Sequence, residues 1–465
     1  MRKQQLWKPL AASIALTLSA SAHAKVSPAE AAKLGNELTC MGAVAAGNEA
    51  GTIPPFSGKW LGTPPGIDYE PNVGQHPIDP YPEDTPRLVI NGQNWEQYQD
   101  KLTEGQIALL KRFPDTYEIP VYPGRRDFRY PDKICEVAKQ NAVEAELVDD
   151  GMGFKALMGS IPFPIPSGDN RTQAMQVLAN HNFPYRAYTE VMAPRDLAEV
   201  NTSGDQTWGR TTYSGLNIVT HPDYVGKPIG EIMAYSDTGT RLPTRDKGKR
   251  TVSIEPVNFA QGQRLAWTYN PGTRRVRQLP EYGFDTPAAG TSGKMTIDQD
   301  RLMNGSPERY DWELKGKKEI YIPANPYRLH EESVSYDDIL TPNHPNPDLM
   351  RYELRRVWVL EGTLKDTHRH KYGKRVLYID EDTWHGVISD YYDTRGELVN
   401  HAFVNYYYAY DMNAWHAGNS FYHDLTTGGY VAYNLFQDLD TGPILNAGGL
   451  TPEMFTPAAL RRRAH

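Results

Sequence analysis

Beyond its first two dozen residues the chain has no uninterrupted apolar run long enough to cross a bilayer. It holds only two cysteines, Cys40 and Cys135, and fewer basic than acidic side chains, 49 against 57. No serine stands in a G-x-S-x-G pattern. Each shortage removes a class of function. The net charge of −8 makes nucleic acid and anionic lipid surfaces poor primary partners. The missing nucleophile elbow argues against a hydrolase of that type. Neither cysteine has a histidine close by in sequence, which weakens a thiol catalyst.

What is present starts with a leader. Arg2, Lys3 and Lys8 make a basic start, Leu10 to Ala20 is a short apolar run, and Ala22-His23-Ala24 is a cleavage pattern before Lys25. This pattern predicts a secretory signal peptide over residues 1–24; an uncleaved anchor is the alternative. The first cysteine lies too far on for a lipoprotein. The expected destination is the periplasm, and loss of the leader takes the net charge from −8 to −11. In an oxidising compartment one disulfide between Cys40 and Cys135 is the economical expectation, with two unpaired buried thiols as the alternative.

The 29 Tyr, 12 Phe and 9 Trp favour half-buried pleated strands, and 36 Pro with 39 Gly call for many turns. Residues 25–190 read as helices separated by proline-rich stretches. Capping patterns begin helices at Ser27 and Thr103, and Ile134, Val137, Ala138 and Ala145 form one stripe after Asp132. The stretch 51–86 can sustain neither helix nor central strand; it reads as an extended arm, or else a disordered linker. From about 191 to 450 the period becomes two. Segment 264–280 is a hairpin with Leu265, Trp267 and Tyr269 on one face. In 351–365, Tyr352, Leu354, Trp358, Leu360 and Leu364 share one face, with Arg351, Glu353, Arg355, Glu361 and Lys365 opposite. Reversals at 380–383 and 393–396 then make 351–411 an antiparallel meander. Residues 451–465 are a tail or short helix. The expected fold is mainly β with helices (α+β), a large curved antiparallel half-barrel over helices, enclosing a concave apolar space suited to a hydrophobic ligand.

Candidate chemistry is thin. His368 and His370 have metal-compatible spacing but sit in a Lys/Arg-rich turn that reads as a solvated loop. Asp380, Glu381, Asp382 and Asp390 approach one another in a hairpin, as acid/base groups or as plain turn residues. Ser420, His423 and Asp424 follow in order, which is not a triad by itself. Arg264, Arg274, Arg275 and Arg277 line one hairpin, either for a head group or partner or as a charged outer face. Trp267, Tyr269, Trp312, Tyr352, Trp358 and Leu360 are the candidates to line a ligand space. No catalytic residue, metal or cofactor is assigned.

The strings "LTCMGAVAAGNEAGTIPPFSG", "LTEGQIALLKRFPDTYEIPVYPGRR", "WTYNPGTRRVRQLP" and "RYELRRVWVLEGTLKDTHRHKYGKRVLYIDEDTW" resemble the exported bacterial proteins grouped as domain of unknown function 1329, DUF1329. The resemblance spans nearly the whole mature chain. It implies a half-barrel like the lipoprotein carriers LolA and LolB, and work beside a resistance-nodulation-division (RND) membrane transporter with an outer-membrane companion. The expected function is a periplasmic carrier or chaperone for a lipid or other hydrophobic compound. A periplasmic enzyme acting on a lipid-like substrate through Asp380, Asp382, Asp390 or His385 is the alternative, and a structural adaptor between envelope complexes is a third reading. Cys40 replaces a proline expected in the family, so the disulfide is particular to this sequence.

Overall fold

The computed structural model describes residues 26–280 and 282–463. The leader, residues 1–24, lies outside them. Thirteen strands carry the architecture: β1 (Thr189–Val200), β2 (Gln206–Asn217), β3 (Ile232–Leu242), β4 (Arg250–Pro256), β5 (Leu265–Asn270), β6 (Arg275–Gln278), β7 (Tyr310–Pro323), β8 (Tyr352–Leu364), β9 (Lys374–Asp380), β10 (Gly386–Tyr392), β11 (Leu398–Ala409), β12 (Ala414–Asp424) and β13 (Tyr430–Leu435). In space they run β7-β8-β9-β10-β11-β12-β13-β1-β2-β3-β4-β5-β6. Every neighbouring pair on this path is antiparallel. The late meander therefore joins the early one through β13 and β1, and β6 and β7 do not pair. The sheet stays open, a half-barrel of mixed α+β class.

Both faces of the central strands are covered. Adjacent residues of a strand point to opposite faces, and adjacent residues here meet different partners. Asp390 accepts a hydrogen bond from the Gly105 amide at the start of helix α1 (Glu104–Arg112), whereas the Tyr391 hydroxyl donates to the Leu302 carbonyl. His401 likewise faces Asp390, and its neighbour Asn400 accepts from Gln299. One face thus carries α1; the other carries a long strap, residues 282–309, that joins β6 to β7. Helix α2 (Asp132–Glu144) bonds the 157–161 segment through Asn141, and α3 (Asn170–Asn182) meets the strap, its His181 ring contacting the Met303 carbonyl at 3.1 Å. A short helix, α4 (Pro457–Arg463), packs Leu460 against Val252 and Tyr269.

Helix α1 begins where expected, with Thr103 and Gln106 capping reciprocally. At Ser27 the cap forms, but only one turn follows. Helix α3 has no amphipathic stripe in the sequence because it is buried on most sides, including Gln176, Asn180 and His181. The proline-rich stretch is an ordered arm: Tyr69 donates to Asp411 at 2.6 Å, Asn72 Nδ2 donates to the Leu445 carbonyl at 2.6 Å, and Tyr81 donates to Asp127 at 3.0 Å. A disulfide joins Cys40 to Cys135.

Close seating of α1 gives a first prediction. A Cβ on Gly105 would lie 2.1 Å from His401 Nδ1 and 2.2 Å from Asp390 Oδ1. Gly105→Ala should therefore force α1 off the sheet and lower stability by about 1–3 kcal/mol. An unchanged denaturation midpoint would show that the helix is not held this tightly.

Candidate functional site

Under the strap, between it and strands β1–β4 and β11–β13, lies a chamber of about 190 Å³. A second chamber of about 240 Å³ adjoins it, and Arg264, Tyr282 and Asn304 border both. Leu216, Met233, Met295, Ile297 and Trp415 supply apolar wall. The remaining wall is mostly polar and includes seven charged side chains, unlike the apolar trough that the strand pattern suggested. It carries Arg186, Arg195, Arg264 and Arg301 with Glu190, Glu255 and Asp300.

Local backbone irregularities aim these groups. Glu190 and Arg195 are five residues apart on β1 and would face opposite sides of a regular strand. The register against β2 shifts between Met192 and Arg195, and this bulge lets both line the chamber. On the strap, Arg301 and Leu302 are consecutive non-glycine residues with positive φ, 53° and 73°. Such backbone costs on the order of 1–3 kcal/mol per residue. It points Arg301 at the chamber while the Leu302 carbonyl meets Tyr391.

The charges are unevenly paired. Arg264 forks onto Glu255 and reaches Asn304 Oδ1 at 2.9 Å. Among the described residues Arg195 bonds neutral side chains, Thr211 at 3.2 Å and Asn434 at 3.1 Å, and stacks over Tyr213 and Tyr433. Arg301 has Glu190 as its ion-pair partner among the described residues, loosely, at 3.9 Å. Burial pushes the Glu190 carboxyl up to about 7, with Arg195 pulling the other way. Burial also raises Asp300, against Arg195 and Arg264. The His416 ring, 3.9 Å from Glu190, is taken down to about 3 by burial, and His385 is lowered for the same reason. His385 stacks on Tyr406 with ring centroids 4.3 Å apart. Among the described residues, His385 Nε2, Tyr406 Oη, His416 Nε2 and Arg186 Nε are buried polar atoms without a hydrogen-bond partner.

Few residues singled out from the sequence meet here. Of the hairpin arginines, Arg264 lines the chamber; Arg275 and Arg277 are exposed on β6, and Arg274 is exposed in the turn before it. None of the six ligand-lining candidates borders it. Trp267 and Tyr269 pack with Leu460, and Trp312 donates to the Pro307 carbonyl at 3.0 Å. Tyr352 and Leu360 belong to the main core, and Trp358 stacks on Trp384 beneath Lys317. An apolar strand face looks the same in sequence whether it meets protein or a cavity.

The carboxylate cluster divides in two. Asp382 is held low by Arg126 and Arg355 despite its burial, and beside it burial and Asp382 push Asp380 up to about 7. Asp390 lies elsewhere, paired with His401 at 2.7 Å. Of the four acid/base candidates only His385 borders the chamber. The expectation of a solvated loop fails at His370, which turns inward to Asp298 at 3.0 Å beside Arg375; His368 is half-buried.

Residues that sequence reasoning did not raise, Arg195, Arg301, Glu190 and Tyr406, are the ones assembled. Two bore a faint signal: Glu190 and Arg195 flank Ala193-Pro194, an interruption typical of a bulge. The strap gave none.

Residues 89–461 match the family described as "Protein of unknown function (DUF1329)". An uncharacterized protein of Pseudomonas aeruginosa is 38% identical over 97% of this chain and 96% of its own length. A crystal structure of a DUF1329 family protein from Desulfovibrio piger is 15% identical, covers 63% of this chain and 100% of that one, and has a TM-score of 0.43. A LolA superfamily protein from Nitrosomonas europaea is 14% identical over 62% of this chain and 98% of its own, with a TM-score of 0.36. At these scores the architecture rests on the strand order itself.

Proposed function

The chain belongs to the DUF1329 family, and on that footing we propose that it is a periplasmic carrier or chaperone. It holds a lipid or other hydrophobic compound and passes it to an RND-type envelope transporter with an outer-membrane companion. The observation that carries the reading is the pair of adjoining chambers beneath the strap, the first of them set against the open half-barrel. Such a space, part apolar and with a few convergent polar groups, suits a small amphipathic ligand. The Cys40–Cys135 disulfide supports an oxidising compartment. Carrying needs no chemistry, since each buried methylene contributes about 0.8 kcal/mol.

Native mass spectrometry of protein purified from the periplasm, followed by organic extraction, tests this. A bound organic mass that leaves on extraction is expected. A clean apo mass that lipid mixtures do not change would sink the carrier reading.

A second reading, an enzyme on a lipid-like substrate, draws on Glu190 and His385 in the chamber rather than on the hairpin carboxylates. It requires that the extracted compound be converted on incubation and that Glu190→Gln stop the conversion; recovery of unaltered compound excludes it.

A further inference from the structure

We propose that the larger-walled chamber beneath the strap receives the anionic head group, carboxylate or phosphate, of an amphipathic organic acid, with Arg195 and Arg301 as its principal partners. This rests on the carrier reading and names the ligand class for it. Two guanidinium groups, Arg186 and Arg195, face the chamber with no ion pair to a carboxylate among the described residues, and Arg301 is held only loosely by Glu190, at 3.9 Å. The fourth, Arg264, is already committed to Glu255. Buried cations without a matched anion are costly, and an entering anion relieves that cost. The planar fork of a guanidinium suits the two oxygens of a carboxylate or phosphate.

Three further buried groups line the same chamber with an atom unpartnered: His385 Nε2, Tyr406 Oη and His416 Nε2. Tyr406 adds a hydroxyl donor, and a neutral imidazole can donate in the right tautomer. The two loosely held carboxyls do not cancel the arginines. Burial raises both, and Glu190 titrates near neutrality. Beyond Arg264, Tyr282 and Asn304 the second chamber adds room, with Phe259 and Phe284 as apolar wall beside Gln263, Glu308 and Arg309. The left-handed backbone at Arg301 and Leu302 fits a strap shaped to present a cation.

The sign of the pH effect follows. Glu190 faces Arg195, Arg301, Asp300, His416 and Tyr213. With His416 neutral across the working range, lowering the pH from about 8 to about 6 removes the negative charge of Glu190. Anion binding should tighten over that window.

The test uses three probes with one tail: octanoate, octyl phosphate and octanol, each titrated calorimetrically into the full mature protein. At least one of the anions should bind at least tenfold more tightly than octanol, a difference of about 1.4 kcal/mol. Comparing octanoate with octyl phosphate assigns the head group. Arg301→Gln should bring the anions down to the octanol level and leave octanol unchanged; Arg195→Gln serves where that variant fails to keep its wild-type melting temperature. Octanoate, but not octanol, should bind more tightly at pH 6 than at pH 8. Equal affinity of all three probes for the wild type overturns the head-group assignment and leaves the carrier standing. Failure of all three to bind overturns both.

Discussion

Glu353→Ala should destabilise the folded protein by about 3–5 kcal/mol, the cost of leaving buried charge without its counter-ion. Glu353 is fully buried, and its two carboxylate oxygens are completely engaged. Oε1 accepts from Arg351 Nε and Asn325 Nδ2, both at 3.0 Å, and Oε2 accepts from Arg355 Nε at 3.0 Å and the Arg125 amide at 2.9 Å. Removal strands two buried arginines and one main-chain donor. Arg351 keeps Asp84 at 2.9 Å and Arg355 keeps Asp382 at 2.7 Å, which places the expected loss near the lower end. By contrast loss of Arg395, whose side chain is 80% exposed beside Asp393, should leave the denaturation midpoint almost unchanged, because solvent screens an exposed pair. Denaturant midpoints of the two alanine variants make the comparison. A loss below about 1 kcal/mol at Glu353 would show that the remaining carboxylates take over its role.

The same network shows where the sequence was readable and where it was not. The alternation in 351–365 was legible, and β8 forms there. On its polar side Arg351, Glu353 and Arg355 are buried. Their partners, Asp84 on the proline-rich arm, Arg125 beyond it, and Asp382, are distant in sequence. A charged alternation looks identical whether water or another charged segment covers it. Caps at Thr103 and reversals at 380–383 and 393–396 are local signals and gave elements correctly. The joining of β13 to β1 is not local: it pairs Tyr430 with Val200.

The candidate site was less legible still. Its key residues depend on a bulge, on two left-handed residues and on a strap without periodicity. A loop as long as 282–309 is uncommon in a compact domain and is a functional flag in its own right. Arg301 lies in this loop and lines the chamber, whereas Arg274, Arg275 and Arg277 are exposed. Most of the aromatic residues fill the interior. The hairpin at 374–393 is an example: its tyrosines and Trp384 pack against protein, and only His385 reaches the chamber.

Paired substitution of Cys40 and Cys135 by serine should cost about 2–4 kcal/mol, and reduction of the wild type should cost a similar amount. The bridge closes a loop with a sequence separation of 95 residues, so much of its effect falls on the unfolded chain, whose freedom it restricts. It also has a local consequence. Met41, next to Cys40, accepts a hydrogen bond from Trp384 Nε1 at 2.7 Å, and Trp384 precedes His385 at the chamber wall. If the bridge acts chiefly through the unfolded state, the serine pair should lower the denaturation midpoint while ligand affinity at low denaturant stays as in the wild type. If affinity falls together with stability, the bridge is also holding the Trp384–His385 wall in place through α2, and the effect belongs to the folded state. Identical midpoints for oxidised and reduced protein would remove the stabilising role altogether.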